Sequence, residues 1–210
     1  QRLSLNHADF GSLLLCAGIG SMLAMPLTGM LIQKMGGRLI IAVTLAVFIV
    51  VLPLLAMLPT TWALGISLFA FGAAAGSLGV AINLQAVMVE KQYAKNMMSS
   101  FHGMCSLGGL LGVMSMTVLL ALGLSPLLAA LIIAACILMV MLLAVPKCLA
   151  QPVPTESEKI TPKIKRGLPS PFIALMGIMC FIAFLSEGSA MDWSGIYLTQ
   201  EFGVDAAYAG

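Results

Sequence analysis

Apolar positions run along this chain in six long blocks, approximately Phe10 to Ile32, Leu39 to Leu58, Trp62 to Val89, Ser99 to Leu122, Pro126 to Val145 and Pro171 to Leu198. Each reaches the roughly 20 apolar residues that cross a bilayer as a helix. In hydrocarbon every backbone N–H and C=O must be satisfied within its own segment, so helix is the form such blocks take. The pattern predicts an all-α, polytopic membrane helix bundle with six transmembrane helices in series.

The polar breaks between blocks carry the orientation. Lys34 and Arg38 flank the first break, Lys91 and Lys95 the third, and Lys147, Lys159, Lys163, Lys165 and Arg166 the fifth, whereas PTT (59–61) and GLSP (123–126) carry no charge. Nine of the ten Lys and Arg residues thus fall on one side, with Arg2 alone opposite. The excess of basic residues marks that side as cytoplasmic, so the first helix is expected to run outside to inside and the last inside to outside.

The fifth break differs in kind from the others. Pro146, Pro152, Pro154, Pro162 and Pro169 lie among its charges, a composition that reads as a cytoplasmic central linker. Its basic cluster from Lys163 to Arg166 suits either solvent or anionic headgroups. The expected organisation is therefore residues 1–146 as five helices of one half, 147–170 as the linker, and 171–210 as the start of a second half. An internal echo supports two halves: LNHADFG (5–11) and VDAAYAG (204–210) share a pattern at an offset of 199 residues. In both, Asn6 and Asp205 suit helix N-caps, and Asp9 with the Leu5 and Phe10 pair would complete a box and a staple. A 199-residue period in a six-helix frame is what two repeated membrane halves give, which makes the chain helices 2 to 7 plus the first turn of helix 8 of a twelve-helix protein.

Composition narrows the function classes. With 60% hydrophobic and 9% charged residues and a mean hydropathy of +1.07, the chain has little with which to stay dissolved as a globule. A net charge of +2, concentrated in one linker, argues against nucleic acid as a partner. Cys16, Cys105, Cys136 and Cys180 lie inside apolar blocks and Cys148 at a block end, with no CxxC spacing; small packing residues are expected rather than a metal site or disulfides. No nucleophile triad, metal spacing or nucleotide motif is present, so neither an enzyme nor a cofactor is expected.

The candidate chemistry lies in the few polar residues inside the blocks, because a polar side chain in lipid is tolerated where it faces protein or a wet cavity. The third block offers Asn83 and Gln85, the fourth His102, and the sixth Glu187, Ser189 and Asp192. Asn83 and His102 each lie seven residues from a charge at the cytoplasmic side, Glu90 and Lys95, so each is about 10 Å deep and the two fit one layer of a cavity wall. Asn can donate and accept to a hydroxylated solute, and His can do likewise or take up a proton; the alternative for both is a hydrogen bond that ties helices together. Gln85 falls about 200° round from Asn83, so the two do not face one cavity squarely. Glu187 sits in the outer half of the last span, where a carboxyl group is a gating or proton-responsive candidate, or a tie to a partner helix. Asp192, beside Trp193, reads as interfacial. Gly188 and Ser189 between them permit a local break in the helix. Small-residue faces at Gly72, Gly76 and Gly79, and at Gly103, Gly108, Gly109 and Gly112, predict close helix packing.

At the first cytoplasmic turn the chain reads GMLIQKMGGR, Gly29 to Arg38. Here Gly29 suits close helix approach, Lys34 suits the negative end of its helix, and Gly36 and Gly37 suit a tight reversal. The stretch resembles the loop motif of the major facilitator superfamily, Gly-x-x-x-Asp-Arg/Lys-x-Gly-Arg-Arg/Lys, at Gly29, Lys34, Gly36 and Arg38. It departs at Gln33, where the motif has an Asp that helps latch two halves, and at Gly37. GVAINLQAVMVEKQ (79–92), SSFHGMCSLGGLLG (99–112) and EGSAMDW (187–193) are similar to the bacterial inner-membrane branch of fucose permease and the rhizopine-transport proteins. That resemblance implies a monomeric secondary transporter that moves a small polar, sugar-like solute by alternating access, often with protons. Members of that branch commonly carry an acid four positions before the Asn; here it is Gly79, which leaves proton coupling open. The competing reading is a transporter-derived sensor or scaffold that binds solute without turnover.

Overall fold

The computed structural model describes residues 7–149 and 170–204. Six helices in it are long and apolar enough to cross a membrane: α1 (His7–Met35), α2 (Gly37–Met57), α3 (Thr61–Tyr93), α4 (Met98–Ala121), α5 (Pro126–Ala144) and α6 (Pro171–Glu201). They coincide with the six apolar blocks, most of them reaching slightly past the apolar ends into the polar breaks. The chain separates into two compact units, residues 1–153 and 154–210. Asn6, Leu5, Asp205 and nearly all of the central linker lie outside the described residues.

Local sequence sets the helix ends. The Thr60, Ser125 and Ser170 hydroxyls accept hydrogen bonds from the backbone N–H groups of Ala63, Leu128 and Ile173 at the starts of α3, α5 and α6, each satisfying a donor the helix leaves free. Pro126 and Pro171 stand in the first turns of α5 and α6, where a missing N–H costs nothing. Between α1 and α2 a single residue, Gly36, makes the reversal at φ +81°, a conformation that suits glycine. A short 3₁₀ turn, Val145–Lys147, follows α5.

In the first unit the most extensive contact joins α1 and α3. Leu13 approaches Gly65, Ala17 meets Gly72 and Ser21 meets Gly76, so the partners advance together along both helices and the pair is parallel. A Cβ at Gly72 would collide with the Ala17 backbone, and one at Gly20 with the backbone of Phe69. Backbone contact this close is how apolar helices gain packing energy when lipid is as apolar as they are. Farther along the seam the Thr28 hydroxyl, nearly buried, donates to Ser77 Oγ at 2.7 Å. α2 packs on α3 and α5, with Phe48 edge-on to Phe71 at 5.0 Å between centroids. A cluster of Ile32, Ile40, Ile41, Ala81 and Val145 gathers the end of α1, the start of α2, α3 and the turn after α5. The ends that carry Lys34, Lys91 and Lys147 therefore share one side of this unit.

α4 stands apart from this packing. None of its residues is buried, and it touches α3 and α5 only sparsely. The expected glycine packing is thus corrected in part. Gly72 and Gly76 are at close contacts, whereas a Cβ added at Gly29, Gly79, Gly103, Gly108, Gly109 or Gly112 would meet nothing from another helix within 4 Å among the described residues.

The described part of the second unit is dominated by α6, 31 residues long, or about 46 Å at the α-helical rise. It continues without interruption through Gly188 and Ser189, so the local break that these residues permit is not taken up. Glycine lowers helix propensity by about 1 kcal/mol relative to Ala, which a single site in a long apolar helix tolerates.

Candidate functional site

The polar residues on α3 divide between two sides. Asn83 is exposed, and its Nδ2 donates to the Gly79 carbonyl one turn earlier at 2.9 Å. No other hydrogen bond of its amide occurs among the described residues, so Oδ1 is open to a ligand. Gln85 is half-buried, and its Nε2 donates to the Leu149 carbonyl at 2.6 Å while its Oε1 accepts from the Leu149 N–H at 3.0 Å. The 200° separation between the two residues is realised as a division of labour. Asn83 points away from the packed helices and Gln85 into them.

His102 lies one turn into α4, exposed and without a hydrogen-bond partner among the described residues. A groove of about 670 Å³ opens at the lysine-bearing side, walled by Ile82, Gln85, Tyr93, Phe101, Lys147 and Cys148 among others, with neither Asn83 nor His102 in its wall. A second groove, of about 420 Å³, lies between the starts of α1 and α3 and includes Asp9, Ser12, Cys16, Thr61, Trp62 and Phe69. Asn83 and His102 therefore share exposure rather than a walled cavity formed by the described helices. Both are polar groups on membrane-length helices, where lipid is a costly environment for them.

On α6, Glu187 and Asp192 are both exposed and neither has an ion-pair or hydrogen-bond partner among the described residues. Because the helix is regular there, five residues place them about 140° and 7.5 Å apart. They are separate groups and not a proton-sharing pair. No cluster of three or more His, Cys, Asp or Glu suited to a metal occurs among the described residues, and all five cysteines are free thiols.

The loop motif is folded as its residue types suggest. Lys34 lies in the last turn of α1, Gly36 N–H donates to the Ile32 carbonyl at 2.9 Å, and Arg38 follows on α2, half-buried; Gln33 and Lys34 are exposed. Gly29, expected to permit close helix approach, has open space where its Cβ would lie.

One polar residue has a role beyond the depth marker that the sequence reading made of it. Glu90, near the end of α3, accepts through Oε1 from the Met97 N–H at 2.5 Å and the Met98 N–H at 2.7 Å. It thereby caps α4, whose own cap residue, Met97, supplies no side-chain bond. Its seven-residue lead over Met97 crosses a turn in which Ala94 adopts the left-handed conformation, φ +50°, and no helical or strand period signals such a contact.

Comparison with known proteins places this arrangement. The profile described as Major Facilitator Superfamily matches residues 1–210. An uncharacterized MFS-type transporter of Yersinia pestis is 45% identical over 210 residues, covering 100% of this chain and 53% of the relative. An uncharacterized transporter of Sinorhizobium fredii is 32% identical over 202 residues, covering 96% of this chain and 53% of the relative. The membrane protein MosC of Rhizobium meliloti is 27% identical over 202 residues, covering 94% of this chain and 47% of the relative. The chain thus spans about half the length of the curated relatives it matches. No solved structure matches it.

Proposed function

This chain belongs to the Major Facilitator Superfamily, whose members are transporters rather than enzymes, and we propose that it is part of a secondary active transporter that moves a small polar, sugar-like solute across a bacterial inner membrane by alternating access. The observation that carries this reading is the exposure of Asn83 and His102 on membrane-length helices. In such a place an amide and an imidazole are sustained by protein or by a water-filled cavity, not by lipid. The described helices leave them open, and the remaining length seen in the relatives supplies the other wall. Residues 1–146 are then the remainder of one six-helix half, 147–170 the cytoplasmic linker, and residues from 171 the start of the other half, in a monomeric protein.

Asn83 supplies both a donor and an acceptor to a hydroxylated solute, and His102 supplies the same or a proton site. Glu187 is the proton-responsive candidate, with Asp192 at the outer interface. Gln85, committed to Leu149, is removed from solute contact on this reading. Gln33, Lys34, Gly36 and Arg38 form the cytoplasmic turn that the moving half carries with it.

The test is uptake of a panel of labelled sugars, cyclitols and organic acids into vesicles containing the full-length protein, with and without a proton gradient. Saturable counterflow that falls at least tenfold in Asn83→Ala supports the reading; saturable binding without counterflow overturns it in favour of a sensor. Glu187→Gln is expected to abolish or reshape the pH dependence of uptake, and an unchanged pH profile removes Glu187 from proton coupling.

A further inference from the structure

Three backbone segments far apart in sequence meet at one side chain. Gln85 pairs both its amide groups with both backbone groups of Leu149, at 2.6 and 3.0 Å. Leu149 follows the 3₁₀ turn that ends α5, where no helix serves its N–H and C=O, so Gln85 satisfies groups that would otherwise need water. Close to the same amide nitrogen lies Gly37, the buried first residue of α2. A Cβ at Gly37 would stand 3.3 Å from Gln85 Nε2, tighter than ordinary van der Waals contact. Gly37 is also one of the two positions at which this chain departs from the loop motif. The hydrophobic cluster of Ile32, Ile40, Ile41, Ala81 and Val145 draws on the same elements at this side of the unit.

We infer that Gln85 is a latch that makes the α1–α2 turn, α3 and the exit of α5 one mechanical body, and that Gly37 is the clearance that lets its amide reach Leu149. α3 then carries two opposed functions within three residues: Asn83 faces outward and Gln85 faces the latch. A rotation of α3 driven at Asn83 displaces Leu149 and its neighbour Cys148 along with the α1–α2 turn. The latch is built entirely from residues of the first unit and stands independently of the solute reading.

Cys148 reports on it, because its thiol is half-buried beside Leu149 and lies 3.6 Å from the Ala144 carbonyl. The experiment uses the full-length protein in native membrane vesicles, with Cys16, Cys105, Cys136 and Cys180 replaced by Ala together with any cysteine outside this stretch, and measures the rate at which a maleimide labels Cys148. Gln85→Leu is expected to raise that rate several-fold. Gly37→Arg, with Gln85 intact, raises it as well. Ile66→Ala, at an exposed position far along the same helix, leaves it at the parental rate. If Gln85→Leu does not reach the membrane, Gln85→Glu, which keeps the acceptor for the Leu149 N–H and loses the donor, gives an intermediate rise. A parental rate in the Gln85 variant overturns the latch, as does an equal rise in Ile66→Ala, and a parental rate in Gly37→Arg removes the clearance and the three-segment body with it. Labelling needs neither solute nor gradient, so its failure leaves the transport reading standing, and failed uptake leaves the latch standing.

Discussion

The α1–α3 seam and helix α4 use the same sequence device to different ends. Both carry glycines at three- and four-residue spacing, yet Gly20, Gly72 and Gly76 lie against neighbouring backbone while Gly103, Gly108, Gly109 and Gly112 face nothing among the described residues. Small-residue spacing marks a face able to take a close partner; it does not say whether the partner lies within the same stretch of chain. The seam is internal to the unit, and α4 offers its face outward. The sharpest way to break this contrast is Gly72→Val against Gly109→Val in the full-length protein. A side chain at Gly72 must displace the Ala17 backbone, so a loss of about 1–3 kcal/mol is expected, read as a fall in the thermal midpoint of detergent-solubilised protein. The same change at Gly109 should cost less stability, and reversal of that order would dissolve the distinction.

A smaller effect tests how α4, so sparsely packed, is held at its start. Glu90 accepts from two backbone N–H groups there, a role equivalent to an N-cap supplied from the preceding helix. Glu90→Ala should cost about 1 kcal/mol and speed hydrogen exchange at the Met97 and Met98 amides, leaving amides along the α1–α3 seam unchanged. Glu90→Gln keeps a neutral acceptor and should lose less. Equal exchange in wild type and Glu90→Ala would mean that α4 is fixed by packing after all.

The six spans were legible because length and apolarity are sufficient to specify a membrane helix, and their ends moved only by a few residues. Asn83 and Gln85 were separable from sequence too, since 3.6 residues per turn places them on opposite sides whatever their partners. What Gln85 holds was not legible: Leu149 is 64 residues away, and no period links a side chain on α3 to a backbone amide beyond α5. The cap that Glu90 supplies was missed for a related reason, as its contact crosses a turn rather than following a helix face. The break that Gly188 and Ser189 permit is not taken up, because glycine allows a kink without imposing one, and continuous hydrogen bonding outweighs its modest propensity cost. The described residues supply no partner for His102, Glu187 or Asp192, and a polar group exposed on a membrane-length helix calls for protein or water beside it without naming which.

The finest test of the contrast is the Thr28–Ser77 hydrogen bond. It is a polar side-chain link across the seam, at 2.7 Å with Thr28 only 3% exposed, and it lies beyond the glycine contacts. If backbone approach at the glycines already fixes the two helices, the hydroxyl pair adds little, since interhelical hydrogen bonds in membranes contribute about 0.6 kcal/mol on average. A double-mutant cycle with Thr28→Val and Ser77→Ala should therefore return a coupling near that value, well below the cost of Gly72→Val. A coupling larger than the glycine effect would make the seam a polar clasp and not a packing surface. In that case its difference from α4 would rest on hydrogen bonding, which among the described residues α4 makes toward its neighbours at its Glu90-capped start alone, and the glycines of the two regions would be equivalent after all.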